Sequence, residues 1–160
     1  MTQKNTFKFH VLDIKVIDGD SYNVTIDLGV KCRWQGNLRL IGLNCPEARG
    51  EESVAGKAVK KWSENFIHEV NKDSKMVVVA NEFDKFGRLL GDIEFYYNSV
   101  DPMCCLPETR IYSLSNIMLR KNYAKPYYGN TVRPKFDARE VLSIVESIKI
   151  NSSILLDDIY

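Results

Sequence analysis

The sequence has no long apolar run. Its hydrophobic stretches all fall short of the roughly 20 residues that a bilayer-spanning helix requires. Residues 1–10 also lack an apolar block of signal-peptide length. We therefore expect a cytoplasmic protein with no membrane-embedded segment.

Disulfide and zinc-binding patterns are missing as well. The cysteines form no Cys-x-x-Cys pair and no zinc-finger spacing, so we expect reduced thiols. The two histidines match no motif, and we expect structural or exposed positions for them. These six residues are Cys32, Cys45, Cys104, Cys105, His10 and His68.

The chain has little excess of charge of either sign. A net charge of +1 argues against a protein that holds polyanions by its overall field alone. The distribution is uneven, however, because residues 110–139 contain seven basic side chains and Asp137 as the single acidic one. Residues 140–160 are acidic on balance. This pattern fits either a polyanion-binding face or an ordinary solvated surface.

The first half of the sequence predicts three strands followed by a helix. Apolar residues alternate over 7–16 with a one-residue slip at Val11 and Leu12, which is typical of a β-bulge. Alternation resumes over 22–28, and a third strand is predicted over 31–41. From Ser53 the apolar period becomes helical, and Gly56 within this helix indicates close packing.

The second half predicts two more strands and two more helices. Strands over 76–80 and 89–97 are joined by a turn at 85–87, and a short helix follows over 114–121. Asp137 opens a last helix with a capping-box pattern. Its inward residues are predicted to be Val141, Leu142, Val145 and Ile148. Five strands with a helix after the third indicate an α+β, mainly β fold resembling an OB barrel. Residues 98–112 show no clear period, and we interpret them as an insertion in a domain spanning 1–148, with 149–160 as a tail.

Three short motifs occur in a fixed order. They are Asp18-Gly19-Asp20-Ser21, the run from Arg39 to Glu47 that reads RLIGLNCPE, and Asp84-Lys85-Phe86-Gly87-Arg88. Each is weak alone. Together, in this order and spacing, they resemble the staphylococcal nuclease (thermonuclease) family over residues 7–148. The resemblance implies a five-stranded Greek-key OB barrel with three helices, and a nuclease activity.

The resemblance also implies roles for individual residues. Asp20, Asn44 and Cys45 stand at the Ca²⁺ ligand positions, with Cys45 contributing its backbone carbonyl. Arg39 and Arg88 stand at the positions that hold the phosphate, and Glu47 at that of the general base. These types suit the chemistry, since Ca²⁺ takes oxygen ligands and guanidinium groups bind two phosphate oxygens at once. The readings from local sequence alone are a surface ion pair for Arg88 and a helix-flanking carboxylate for Glu47.

Asn44 is the main departure from the family pattern, because the best-studied relatives have aspartate there. An amide oxygen can bind Ca²⁺ but carries no charge. We therefore expect weaker metal affinity, with activity at millimolar ion.

Four further residues resemble the family's nucleotide contacts. Lys85 and Phe86 correspond to a pair that touches the terminal phosphate, with Phe86 in place of tyrosine. Tyr127 and Tyr128 fall near the two nucleotide-binding tyrosines. Aromatic faces among lysines suit base stacking on single strands, while core or surface packing is the alternative.

The leading hypothesis is a Ca²⁺-dependent nuclease that cleaves DNA and RNA with little sequence specificity and leaves 3′-phosphates. We expect a monomer acting on single-stranded or frayed substrates, with a virus or plasmid as a fitting source. The alternative is a catalytically weakened module that binds nucleic acid or protein. A protein partner recruited through 98–112 or the acidic tail is compatible with both.

Overall fold

The computed structural model describes residues 6–72, 74–100, 107–129 and 131–150. Its strands are β1 (Phe7–Asp18), β2 (Ser21–Gly29), β3 (Cys32–Leu40), β4 (Leu43–Asn44), β5 (Lys75–Phe83), β6 (Leu89–Val100), β7 (Pro107–Ser113) and β8 (Lys125–Pro126). Its helices are α1 (Ser53–Val70), α2 (Leu114–Arg120) and α3 (Ala138–Ile150). The centre of the 98–112 segment and the acidic tail beyond 150 lie outside the described residues.

Five strands close into a barrel. Antiparallel pairing runs β3-β2-β1-β5-β6, and β3 then pairs with β6 in parallel to complete the circle. The parallel seam is short, joining Leu38–Leu40 to Leu89–Gly91. The predicted OB-like barrel with three helices is therefore confirmed, and its closure removes two sheet edges. Among the described residues, no helix is both long and apolar enough to cross a bilayer.

Strand β1 contains the predicted bulge. Its register against β2 shifts between Val11 and Asp13, so Leu12 is the extra residue. A bulge bends the strand and increases its twist. Strand β1 can therefore pair with β2 along one part and with β5 along another, as barrel closure requires.

Helix α1 covers the barrel with the predicted apolar stripe. The buried residues on this helix include Ala55, Val59, Trp62, Phe66 and Val70. The rings of Trp62 and Phe66 stack with centroids 5.0 Å apart, and Phe66 meets the barrel residue Phe95 edge-on at 5.4 Å. This apolar contact fixes the helix against one end of the barrel.

The segment 98–112 is more regular than its sequence indicates. Strand β6 continues to Val100, and β7 pairs with it from Pro107 to Ser113. Both ends of this segment are therefore paired strands, although their sequence shows no clear period, and the interpretation of 98–112 as an insertion stays a prediction. Strand β7 lies on the outer edge of β6, where Tyr112 packs against the core and Ile111 is exposed, so no apolar alternation marks it.

Helix α2 ends in a Schellman motif at Asn122. This residue has φ 57°, and the Tyr123 N–H donates to the Met118 carbonyl at 2.9 Å. Asparagine is one of the few non-glycine residues that adopt this left-handed conformation readily. The chain thereby reverses toward β8.

Helix α3 opens with the predicted capping box. Asp137 Oδ1 accepts the backbone N–H of Glu140 at 2.9 Å, and Glu140 Oε2 accepts that of Asp137 at 2.8 Å. The inward face differs at one position from the prediction. Leu142 is 63% exposed, while Ile144 is buried. The helix presents 141, 144, 145 and 148 to the hydrophobic core, where it packs on α1, and Leu142 lies off this stripe by one residue's rotation.

Candidate active site at the barrel rim

The turn between β1 and β2 holds Asp20 against the end of β3. Ser21 pairs with Arg39 in the β2–β3 register, and the Leu40 N–H donates to the Asp20 carbonyl at 2.9 Å. This register brings the side chains of Arg39 and Asp20 into an ion pair. Asp20 is 3% exposed, and its Oδ2 accepts the backbone N–H of Cys45 at 2.9 Å. A buried carboxylate with these partners is fixed in orientation.

Arg39 is partly buried, with 12% of its side chain exposed, and lies near Arg133 and Arg88. Burial, together with the nearby charges of Arg133 and Arg88, lowers the pKa of Arg39 to about 10. Arg39 is still a cation at neutral pH. Arg39 and Arg133 both donate to Asn44 Oδ1, so these two guanidinium groups are close neighbours.

The parallel seam brings Arg88 to this rim. Arg39 of β3 is opposite Leu90 of β6, two residues from Arg88. Arg88 Nε and Nη2 both bind Asp84 Oδ2 at 2.7 Å. Asp84 also accepts the backbone N–H groups of Phe86 and Arg88, which fixes the turn. The Arg88–Asp84 ion pair, which the local sequence favours, is thus present. The Arg88 side chain is 37% exposed, and its guanidinium retains further N–H donors.

Asn44 lies between two arginines. The two-residue strands β4 and β8 pair, with Asn44 opposite Lys125, and so bring the following segment 131–137 over the rim. Asn44 Oδ1 accepts from Arg39 Nη2 at 3.3 Å and from Arg133 Nε at 2.5 Å. Its Nδ2 donates to the carbonyl of Pro134 at 3.2 Å. The whole amide is therefore engaged.

Glu47 is linked to Asn44 through Arg133, which binds both side chains. Arg133 Nη1 donates to Glu47 Oε1 at 2.6 Å, and the two side chains are each about half exposed. Arg133 therefore bridges the side chains at positions 44 and 47. Sequence reasoning counted Arg133 only among the basic residues of 110–139, because no motif marks it. Its place depends on the β4–β8 pair, which is too short to leave a sequence pattern.

The backbone around Glu47 is packed against α1. A Cβ at Gly56 would overlap the Glu47 carbonyl, so only glycine allows this approach. Glu52 links the same region to the segment before α3, since its carboxylate accepts the N–H groups of Glu47 at 3.1 Å and Phe136 at 2.8 Å. A cavity of about 240 Å³ opens beside Glu47 and Arg133. A larger cleft of about 650 Å³ lies between α2 and α3, away from these carboxylates.

The predicted nucleotide contacts flank the rim on two sides. Lys85 and Phe86 occupy the β5–β6 turn, where Phe86 is 71% exposed and has Lys85 Nζ 5.1 Å from its ring centroid. Tyr127 follows β8 and donates its N–H to the Gly42 carbonyl at 3.0 Å. The Tyr128 ring lies against Gly42 and is largely exposed. Phe86 and Tyr128 are therefore both exposed, and the Phe86 ring also has Lys85 and Arg88 over it.

The oxygen donors fit Ca²⁺ in kind. Asp20 offers a carboxylate, Asn44 an amide oxygen and Cys45 a backbone carbonyl, all hard ligands of the type this ion takes. The side-chain oxygens of Asp20 and Asn44 already accept hydrogen bonds from guanidinium or backbone N–H groups. Over the described residues, no three His, Cys, Asp or Glu side chains form a metal-binding group. A cation would thus depend on one carboxylate, an amide and backbone oxygens.

The fold and the rim together define a class of protein. A closed five-stranded barrel with three helices, and with acidic and guanidinium groups at the mouth, is an OB-like domain with a polar site. The chain belongs to the family of staphylococcal nuclease homologues, whose profile matches residues 37–147. A search of curated proteins finds no match. The resemblance read from the three motifs is confirmed.

Proposed function

We propose that this protein is a Ca²⁺-dependent nuclease that hydrolyses phosphodiester bonds in DNA and RNA with little sequence specificity. The observation that carries the proposal is the convergence of Asp20, Arg39, Asn44 and Glu47, from separate elements, in one hydrogen-bonded group at the barrel rim. Membership of the nuclease family supports the same activity. The exposed rings of Phe86 and Tyr128, on two sides of the rim, suit single-stranded or frayed substrates.

The arginines are assigned to the phosphate. Arg39 and Arg88 would donate to its non-bridging oxygens, and their contribution grows as negative charge accumulates in the transition state. The Asp20 and Asp84 carboxylates hold the two guanidinium groups in place beforehand. Preorganised donors do not have to reorient during the reaction.

Glu47 is assigned to the attacking water. Its exposed carboxylate would accept a proton from water as that water attacks phosphorus. Asp20, Asn44 and the Cys45 carbonyl would hold Ca²⁺, which when bound supplies positive charge to the phosphate. One carboxylate in this set makes a weak site, so the proposal includes activity at millimolar Ca²⁺.

A cleavage assay with matched variants tests this function. Single-stranded DNA is incubated with the wild type, Glu47→Gln and Glu69→Gln over a Ca²⁺ series and in EDTA. Glu69 is the control because it is also a half-exposed, ion-paired glutamate, bound to Lys72 far from the rim. We expect Ca²⁺-dependent cleavage in the wild type and Glu69→Gln, and a loss of at least about 100-fold in Glu47→Gln.

The alternative is a module that binds nucleic acid without cutting it. The engagement of both Asn44 Oδ1 and Glu47 by Arg133 favours this alternative, because it ties up groups that hydrolysis would use. Binding of single-stranded DNA without cleavage at any Ca²⁺ concentration would overturn the nuclease. Cleavage that survives EDTA would overturn the role given to the metal.

A further inference from the structure

Arg133 occupies a special place among the charges of the rim. Three guanidinium groups meet three carboxylates in separate pairs, which are Arg39 with Asp20, Arg88 with Asp84 and Arg133 with Glu47. Each of these three pairs is neutral by itself. Arg133 comes from the irregular segment before α3, whereas Arg39 belongs to β3 and Arg88 directly precedes β6.

Arg133 contacts one group of the proposed Ca²⁺ site, Asn44, and also the proposed base, Glu47. Its Nε binds the single side-chain oxygen of Asn44, and its Nη1 binds Glu47 at 2.6 Å. Those contacts satisfy the amide oxygen and balance the exposed carboxylate. A dication approaching the rim therefore meets an oxygen that is already hydrogen-bonded and a positive charge beside it, and like charges repel strongly at such distances.

We propose that Arg133 is a built-in counter-cation that competes with Ca²⁺ for the Asn44 oxygen, so that its release sets the metal affinity of the site. This inference rests on the proposed function and adds a regulator to it. Asn44 makes the arrangement effective, because an uncharged amide attracts the ion less strongly than a carboxylate would. With its guanidinium half exposed, Arg133 can swing into solvent without leaving a buried charge behind.

Removing the guanidinium should tighten Ca²⁺ binding. We expect Arg133→Gln to bind Ca²⁺ at least about tenfold more tightly than the wild type, as measured by isothermal titration calorimetry on the full chain. Arg33→Gln is the charge-matched control. Arg33 is exposed on β3, six residues and so about 20 Å along the strand from Arg39, beyond the screening length at physiological salt. It should change the affinity less than twofold. Thermal unfolding checks that both variants are folded.

A double-mutant cycle separates competition from simple charge removal. Asn44→Asp alone gives Ca²⁺ a second carboxylate but also gives Arg133 a stronger partner. Its gain in affinity should therefore be smaller in the wild-type background than in Arg133→Gln. Equal gains in both backgrounds would mean that the two residues act independently.

The outcomes distinguish this inference from the proposed function. Equal Ca²⁺ affinities of the wild type and Arg133→Gln, together with Ca²⁺-dependent cleavage, would overturn the inference and leave the nuclease standing. The same holds if Arg33→Gln tightens binding as much as Arg133→Gln. Absence of Ca²⁺ binding in Arg133→Gln up to millimolar ion would overturn both the inference and the metal in the proposed function.

Discussion

Cys45 and Cys32 show how position decides the chemistry of a thiol. Cys45 follows Asn44 and is 1% exposed, with its Cβ packed against Gly19. Burial raises the pKa of the Cys45 thiol to about 12. Cys32, at the start of β3, is exposed. The reduced state expected from the sequence holds for these two cysteines, which are both free.

We predict that alkylation will discriminate between the two thiols. At pH 8 iodoacetamide should modify Cys32 within minutes and leave Cys45 unmodified in the folded protein, because the thiolate is the reactive form. Peptide mass mapping provides the measurement, and the urea-unfolded chain is the control in which both react. Between pH 9 and 12 the Cys45 thiol stays protonated in the folded protein but loses its proton in the unfolded chain. The free energy of unfolding should therefore fall as the pH rises through this range. Rapid modification of native Cys45 would contradict its burial.

At the scale of elements, α1 positions Glu47 through Gly56. Alanine in a helix interior is normally about 1 kcal/mol better than glycine. Here its methyl group would overlap the backbone carbonyl of Glu47. We predict that Gly56→Ala destabilises the protein by about 1–3 kcal/mol, as forced overpacking does, and lowers Ca²⁺-dependent cleavage.

Urea denaturation measures this effect. Lys57→Ala is the control, since Lys57 is exposed on the next position of the same helix and should change the free energy of unfolding by less than about 0.5 kcal/mol. If Gly56→Ala were more stable than the wild type, the helix would not be in contact with the Glu47 backbone. Cleavage unchanged in Gly56→Ala would remove the proposed link between this packing and Glu47.

Elements with a local signature could be predicted from the sequence. The β1 bulge, the capping box at Asp137 and the αL residue Asn122 each depend on a few adjacent residues, and each is present. Strand β7 and the inward position of Ile144 could not be predicted so easily, because tertiary pairing and rotation of the helix decide them. The same holds for the candidate site. Motifs indicated Asp20 and Arg39 as neighbours, whereas Arg133 reaches them through a long-range contact that no motif records.

The whole molecule carries a net charge of only +1, so its affinity for nucleic acid should come from a few contacts. With Arg39, Arg88 and Lys85 as the phosphate-binding cations, log K for a short single strand should fall against log salt with a slope of about −2. Fluorescence anisotropy in EDTA measures this slope without cleavage.

Two lysine variants test whether Lys85 contributes to the salt dependence of binding. Lys85→Gln should make the slope shallower by about 0.7, and Lys57→Gln on α1 should leave it unchanged. A slope near −5 would show instead that the basic residues of 110–139 act together. A slope of zero would contradict binding through phosphates.

The short parallel seam between β3 and β6 has a consequence for when the protein can act. Arg39 belongs to the first half of the chain and Arg88 to the second, and only the pairing of Leu38–Leu40 with Leu89–Gly91 brings them together. A nascent polypeptide on the ribosome, or a fragment that ends before β6, lacks this pairing. Under the proposed function, the enzyme would remain harmless to the messenger RNA that encodes it until its synthesis has passed β6.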